Sequence, residues 1–157
     1  MIRSATGADA AAIFRVHMAS IDGLARSHYS AQQLAAWRGR RSPDSYLEPI
    51  AHKVVLVAER HAAVAGFAQL DVASSCVEAI YVLPQLARLG IGARLLAAVE
   101  ARARAGGLAE LSLDASLNSV AFYAQAGYCP VREAVHELEP GVFIPCVVMR
   151  KVLRGTV

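Results

Sequence analysis

No stretch of this sequence approaches the eighteen or so uninterrupted apolar residues of a membrane-spanning helix. Residues 1–5 also lack the apolar core of a signal peptide, so we expect a cytoplasmic protein. The sequence has no repeat, linker or low-complexity segment, which predicts that residues 1–157 form one domain. Its 55% apolar and 18% charged residues exclude a disordered chain and fit a soluble globular protein.

The sequence also lacks a large excess of either positive or negative residues, since its net charge is only +3. The one local basic cluster, Arg38, Arg40 and Arg41, is interpreted as a solvated helix end, and nucleic-acid binding is not expected. A mildly positive field suits a polyanionic ligand.

The sequence also has few cysteines and no metal-ligand spacing among its cysteines and histidines. The three cysteines are odd in number and have no metal-ligand spacing, and the five histidines include no pair at helix-face spacing. We therefore expect reduced thiols, no disulfide framework and no metal. The cysteines are Cys76, Cys129 and Cys146.

The most informative stretch is an apolar run, Val77–Leu83, followed by Pro84 and then by Gly90-Ile91-Gly92, where helical spacing begins. Glycines before a helix let backbone approach a ligand, and the free N–H groups of a first helical turn attract anions. The alternative is a tight structural turn. A P-loop is excluded because its Gly-Lys-Ser/Thr end is missing, and a Rossmann fingerprint because Leu95 stands at its third glycine.

This stretch resembles the pyrophosphate loop of the GNAT superfamily of N-acetyltransferases. The resemblance lies in Val82-x-Pro84, the two glycines and the Ala/Leu-rich helix that follows. The family usually has Gln or Arg where this chain has Ala87, and Arg88 is the neighbouring basic residue. The resemblance implies that acetyl-CoA binds through its diphosphate to the backbone of Arg88, Leu89, Gly90, Ile91, Gly92 and Ala93.

The element pattern also resembles the GNAT fold. Expected strands include Val54–Glu59, Val64–Val72, Leu108–Leu113 and the closing pair Tyr128–Leu138 and Val142–Val152. Expected helices include one capped by Asp9, one opened by a Ser30/Gln33 capping box, and one from about Ser116 to Gln125. The resemblance implies an α/β (α+β) fold: a mixed, mostly antiparallel sheet flanked by helices, with two central strands splayed apart. The CoA pantetheine arm would enter that gap and pair with the backbone of Ile80, Tyr81 and Val82.

Tyr123 is the candidate proton donor. Phe122-Tyr123-x-x-x-Gly127-Tyr128 resembles the second GNAT signature, whose tyrosine points at the CoA sulfur. The alternative is an aromatic packing residue. Ser116 and Asn118, at the start of the same helix, are candidates either to bind the pantetheine or to cap the helix.

Glu78 is the candidate general base. The acceptor amine must lose a proton before it attacks, and a carboxylate inside an otherwise apolar strand is costly unless it has a function. The alternative is a solvated glutamate near the strand start. Asp71, on the preceding strand, is the second candidate.

The segment His28-Tyr29-Ser30-x-x-Gln33-x-x-x-Trp37, together with Leu113-Asp114-Ala115-Ser116, resembles the bacterial YafP-like branch of the family. In GNAT proteins this region forms a wall of the acceptor pocket, which implies substrate contacts from His28, Tyr29 and Trp37. The alternative places Trp37 in the core and the other two in a structural turn.

The resulting hypothesis is an N-acetyltransferase that moves an acetyl group from acetyl-CoA to a small amine or exposed amino group by direct attack in a ternary complex. The alternative is a non-catalytic acyl-CoA-binding module with a sensing or regulatory role. The sequence leaves open the acceptor, the acyl-chain preference and whether the protein is a homodimer.

Overall fold

The computed structural model describes residues 1–24 and 28–153. Within them the strands are β1 (Ile2–Ser4), β2 (Val54–Arg60), β3 (Ala63–Asp71), β4 (Cys76–Val82), β5 (Glu110–Ser116), β6 (Cys129–Glu139) and β7 (Val142–Val152). The α-helices are α1 (Ala10–Leu24), α2 (Ala31–Arg38), α3 (Leu47–His52), α4 (Ile91–Ala105) and α5 (Val120–Gln125). Short 3-10 turns cover Gly7–Asp9, Pro43–Tyr46, Pro84–Leu86 and Leu117–Ser119.

The described strands form one mixed sheet in the order β1-β2-β3-β4-β5-β7-β6. Neighbours are antiparallel except β4 and β5, which run parallel. That parallel pair is registered at Cys76↔Ser112, near the start of β4, while β5 pairs with β7 along its whole length. The expected fold, with its splayed central strands, is confirmed.

Both faces of the sheet are covered, which explains the continuous apolar run in β2. Val55 and Val57 pack in one buried cluster with Ile13 and Val16 of α1. Leu56, on the opposite face, belongs to the cluster built on α4. Because neighbouring residues in a strand point to opposite faces, a strand buried on both sides cannot alternate between apolar and polar residues.

Helix α4 covers the second face with one apolar stripe. Its buried apolar positions follow the three- and four-residue spacing of an amphipathic helix. They are Ile91, Leu95, Leu96, Val99 and Ala103. None of the described helices is long and apolar enough to cross a membrane.

Two helix starts test the capping predictions. The Ser30/Gln33 box is confirmed: Gln33 N–H donates to Ser30 Oγ at 3.1 Å, and Ser30 N–H donates to Gln33 Oε1 at 2.8 Å. The prediction of Asp9 as N-cap is wrong. Thr6 is the cap of a 3-10 turn that precedes α1, and Asp9 is its third residue, where its carboxylate accepts from Thr6 N–H at 2.8 Å. Arg3 binds the same carboxylate through two nitrogens.

The region after β5 also differs from expectation. The strand is displaced towards the C-terminus and ends at Ser116 rather than at Leu113. The expected helix from Ser116 divides into a 3-10 turn and the six-residue α5. The shift follows from β7, which pairs with β5 up to Ser116↔Cys146 and so extends the strand.

Candidate active site

A cleft of about 1110 Å³ opens where β4 and β5 separate. At the closed end the two strands are registered at Cys76↔Ser112, and Ser112 N–H donates to Ser75 O at 2.9 Å. Beyond it the walls come from β4 and α1 on one side and from β5 and α5 on the other, with the start of α4 at one end. The cleft therefore exposes the edge of a central strand, which in an ordinary sheet would be paired.

The loop before α4 borders this cleft, and within the described part of the chain the amides of residues 88–93 have no backbone hydrogen bond. Leu86 N–H donates to Leu83 O, and Ala87 N–H donates to Pro84 O, so these two amides are used inside the 3-10 turn. The first helical bond of α4 runs from Arg94 N–H to Gly90 O at 3.1 Å. The amides of residues 88–93 lie between these bonds, where a helix start carries partial positive charge.

The structure requires a glycine at Gly90 and at Gly92 for two different reasons. Gly90 caps α4 with φ +82°, a left-handed conformation, and a Cβ there would meet no atom within 4 Å. Gly92 lies against α5, since a Cβ on it would come within 3.3 Å of the Phe122 ring. Gly90 therefore serves the turn and leaves open space at the cleft, whereas Gly92 permits close helix packing. Arg88 also has positive φ, at 66°.

Most residues predicted to bind the cofactor line the cleft. They are Ile80, Tyr81, Val82, Arg88, Gly90, Ile91, Gly92, Ala93, Ser116, Asn118 and Tyr123. Leu89 is not among the described lining residues, and its side chain is 49% exposed. The Val82 carbonyl accepts a hydrogen bond from Ser20 Oγ at 2.8 Å. Ser116 bonds the Ser119 hydroxyl at 2.8 Å, so its hydroxyl belongs to the turn before α5.

Tyr123 is buried in the wall of the cleft that α5 forms. It packs edge-on against Phe122 and Tyr128. Burial raises the pKa of its hydroxyl above the ordinary value. The hydroxyl is therefore protonated at neutral pH and is a hydrogen-bond donor rather than a base.

Glu78 lies at a β-bulge of β4. Pairing with β3 shifts from Leu70↔Val77 to Gln69↔Ala79, which leaves Glu78 as the extra residue. Bulges turn a side chain out of the regular alternation and occur often beside active sites. The carboxylate of Glu78 lines the cleft and accepts from Lys53 Nζ at 2.7 Å and Gln69 Nε2 at 2.9 Å.

Within the described chain, both partners of the Glu78 carboxylate bind its Oε1 atom. The hydrogen bond and nearby charge of Glu78 raise the pKa of Lys53, which keeps the ammonium charged. Asp71, the second candidate base, lies elsewhere: it accepts from Ala73 N–H and from Ser74 Oγ in the β3–β4 turn.

The three predicted acceptor-pocket residues separate in the structure. Trp37 lines the cleft together with Tyr81. Tyr29 is buried against Ile144, and its hydroxyl accepts from Leu117 N–H at 2.9 Å. His28 is exposed. Neither His28 nor Tyr29 is among the described residues that line the cleft, because Tyr29 is turned into the small core under α2.

His17, on α1, is a cleft residue that the sequence analysis missed. Its Nδ1 bonds the Tyr46 hydroxyl at 2.8 Å, and its ring lies 4.4 Å from that of Tyr81. Nε2 is buried and has no partner among the described residues. Burial, aided by the charge of Arg41, lowers the pKa of His17 to about 3. The only sequence signal for His17 was that it is a polar residue within the apolar stripe of a predicted helix.

The basic cluster at the end of α2 has partners within the fold. Arg38 bonds Asp22 of α1, and Arg41 bonds the carbonyl oxygens of Trp37 and Arg38. Arg41 also lines the cleft. Arg38 and Arg41 therefore have hydrogen-bond partners within the protein, so their presence does not require a nucleic-acid ligand.

Comparison with known proteins gives the family. The family model described as an acetyltransferase (GNAT) domain matches residues 25–153. The chain belongs to the GNAT acetyltransferase family. A search of curated protein sequences finds no significant match. The narrower resemblance to the YafP-like branch stays a prediction.

Solved structures of GNAT proteins share this fold. A GCN5-related N-acetyltransferase from Rhodopseudomonas palustris is 27% identical over 98% of this chain and 95% of that one, with a TM-score of 0.92. The PaiA N-acetyltransferase of Thermoplasma acidophilum, solved with coenzyme A, is 23% identical over 97% and 98%, with a TM-score of 0.79. A Sinorhizobium meliloti phosphinothricin acetyltransferase, solved with acetyl-CoA, is 22% identical over 99% and 90%, with a TM-score of 0.76.

Proposed function

We propose that this GNAT protein transfers an acetyl group from acetyl-CoA to a primary amine by direct attack within the cleft. The observation that carries the proposal is the parting of β4 and β5 beyond Cys76↔Ser112. Around this opening lie the free amides of the loop before α4, the Tyr123 side chain and the Glu78 carboxylate. One cleft thus offers an anion site, a proton donor and a proton acceptor.

The residues at the start of α4 fit a diphosphate. Six consecutive amides, the positive end of a fifteen-residue helix and the adjacent Arg88 favour negative charge. The open space at Gly90 allows phosphate oxygens to approach the backbone. Acetyl-CoA, when bound, would supply an acetyl group already activated as a thioester. The β4 edge at Ile80–Val82 would hold the pantetheine arm by backbone pairing, with Asn118 and Ser116 opposite it.

Tyr123 acts in this proposal as the donor to the leaving sulfur. Its raised pKa keeps the hydroxyl protonated, and its position in the α5 wall faces the gap where the arm would lie. A positioned general acid contributes about 10²–10⁴ in rate.

Glu78 acts as the proton acceptor for the incoming ammonium, directly or through water. The Glu78 Oε2 atom is the oxygen left for this partner, because Lys53 and Gln69 both bind Oε1. His17 also lines the cleft, but a pKa of about 3 makes its imidazole a poor base near neutral pH. His17 is therefore not proposed as the base.

The acceptor in this proposal is a small amine or an exposed amino group that enters beside Trp37. Trp37 and Tyr81 offer an aromatic wall there. The contacts of His28 and Tyr29 with the acceptor stay a prediction. We further propose that residues 1–157 act as one domain in the cytoplasm, because free Cys76, Cys129 and Cys146 suit a reducing compartment.

Calorimetric titration with acetyl-CoA, followed by a thiol-release assay over a panel of primary amines, tests the proposal. We expect binding, turnover of at least one amine, and a fall in kcat of about 10²-fold in Tyr123→Phe. Tyr128→Phe is the matched control, since that hydroxyl bonds Glu100 in the core rather than facing the cleft. Binding without turnover of any amine would support the regulatory module instead.

Glu78→Gln provides the second test. It preserves the side-chain shape and removes proton-accepting capacity, so we expect at least about a tenfold loss of kcat with acetyl-CoA affinity retained. Glu110→Gln, an exposed change on β5, is its control. An unchanged rate in Glu78→Gln at every pH would remove Glu78 from the proposal.

A further inference from the structure

We propose that Asp114, His136 and Cys146 form a binding site for a zinc-type divalent cation in the wall of the cleft. The three side chains come from β5, β6 and β7, and all three line the cleft. Their ligand atoms lie within 4.8 Å of one another.

Strand register brings the three residues together. Cys146 lies opposite Ser116 on β5 and opposite Ala134 on β6. Asp114 and His136 are each two residues from those partners, and period-two alternation places them on the same face of the sheet as Cys146. Asp114 and His136 flank Cys146 diagonally on the two neighbouring strands, and their side chains reach each other across β7. The site is thus held by backbone pairing on three adjacent strands.

The distances suit one ion with little movement. His136 Nε2 lies 2.6 Å from Asp114 Oδ2, and the Cys146 thiol lies beneath them in the buried layer. Tetrahedral zinc with bonds of 2.0–2.3 Å places its ligand atoms roughly 3.3–3.8 Å apart. Rotation of the exposed Asp114 and His136 side chains can supply the difference. An ion would replace the hydrogen bond between them as the link.

The donor set selects the metal. One sulfur, one imidazole nitrogen and one carboxylate oxygen match zinc and disfavour magnesium and calcium, which prefer oxygen alone. Three protein ligands leave a fourth position, as in open zinc sites. Because all three residues line the cleft, water or a ligand group of an incoming molecule would complete the coordination. The alternative is a simple Asp–His ion pair above a buried thiol.

Cobalt substitution tests the site without any acetyl transfer. Protein stripped with chelator and kept reduced is titrated with Co²⁺ and then with Zn²⁺. We expect one equivalent of Co²⁺ to produce a near-ultraviolet thiolate charge-transfer band with visible bands of tetrahedral cobalt, and Zn²⁺ to displace it. Absence of the charge-transfer band in the wild-type protein would overturn the proposal.

Variants identify the ligands. Cys146→Ser should abolish the charge-transfer band, and Asp114→Asn and His136→Gln should each weaken Zn²⁺ binding at least about tenfold in calorimetry. Two controls, Cys129→Ser and Cys76→Ser, should keep the band, because neither thiol belongs to the cluster. A band that persists in Cys146→Ser, or zinc affinity equal in all variants, would refute the site. Acetyl-CoA titration of the same proteins reports separately on the proposed function.

Discussion

Acidification is expected to destabilise this protein in part through His17, and removing that histidine should remove that part of the pH dependence. The imidazole is 7% exposed and is enclosed by Tyr46, Phe67 and Tyr81. The Arg41 charge acts on it in the same direction as burial. A protonated His17 would therefore be a buried cation facing a positive neighbour.

The magnitude follows from the two pKa values. The pKa of His17 falls from 6.5 in the unfolded reference to about 3 in the folded protein. Between these values the unfolded chain binds more protons, so the free energy of unfolding decreases as pH falls. Each pH unit well below 6.5 costs about 1.4 kcal/mol, and acidification from pH 6.5 to about 4.5 therefore costs roughly 2–3 kcal/mol. More than about one pH unit above 6.5 the contribution is constant.

Urea unfolding at pH 7, 5.5 and 4.5 measures this effect. Carboxylates also titrate in this range, but they are common to all variants, so the comparison isolates His17. His17→Phe and His17→Gln should both lose stability less steeply on acidification than the wild type, and the glutamine variant can still bond the Tyr46 hydroxyl. The exposed His52→Asn is the control and should keep the wild-type slope. Equal slopes in the wild type and both His17 variants would refute the reasoning.

The other predictions concern the loop and the buried ion pair. Gly90→Ala should cost about 1–2 kcal/mol because of its positive φ, and it should also weaken acetyl-CoA binding in calorimetry. Gly107→Ala, with φ +81° at the other end of α4, is the control: it should lose similar stability but bind acetyl-CoA normally. Equal acetyl-CoA affinities in the two variants would contradict a role for Gly90 in binding. Lys151→Met removes the Lys151 ammonium from the buried Glu100 carboxylate and should cost about 3–5 kcal/mol in urea unfolding. The double variant with Glu100→Gln should recover part of that loss, and no recovery would count against the ion pair.

Local signals predicted most of the fold. The buried runs of β2 and β3, the Ser30/Gln33 box and the stripe of α4 each lie within a short window, where period and capping chemistry determine the structure. The loop at Gly90 was predicted for the same reason, since its strand, turn and helix are consecutive. Boundaries failed where a distant strand decided them, as at Ser116, whose pairing with Cys146 extends β5.

The candidate site was predictable only in part. Tyr123 and Glu78 lie in segments whose residue pattern is itself informative, but the bulge that turns Glu78 into the cleft depends on its register with β3. His17 gave a weak signal, because a polar residue in a helical stripe is uninformative until its neighbours are known. The prediction for His28 and Tyr29 relied on their place in the chain, whereas packing against Ile144 turned Tyr29 away from the cleft.

By itself the sequence determined the order of strands and helices and the glycine loop before α4, since these depend on residues close together in the chain. Only the tertiary structure decided which side chains share the cleft. Asp114, His136 and Cys146 are far apart in sequence, and no spacing rule connects them. They lie on one face because β5 and β6 both pair with β7, each in a fixed register. A shift of either strand by one residue would move its side chain to the other face of the sheet.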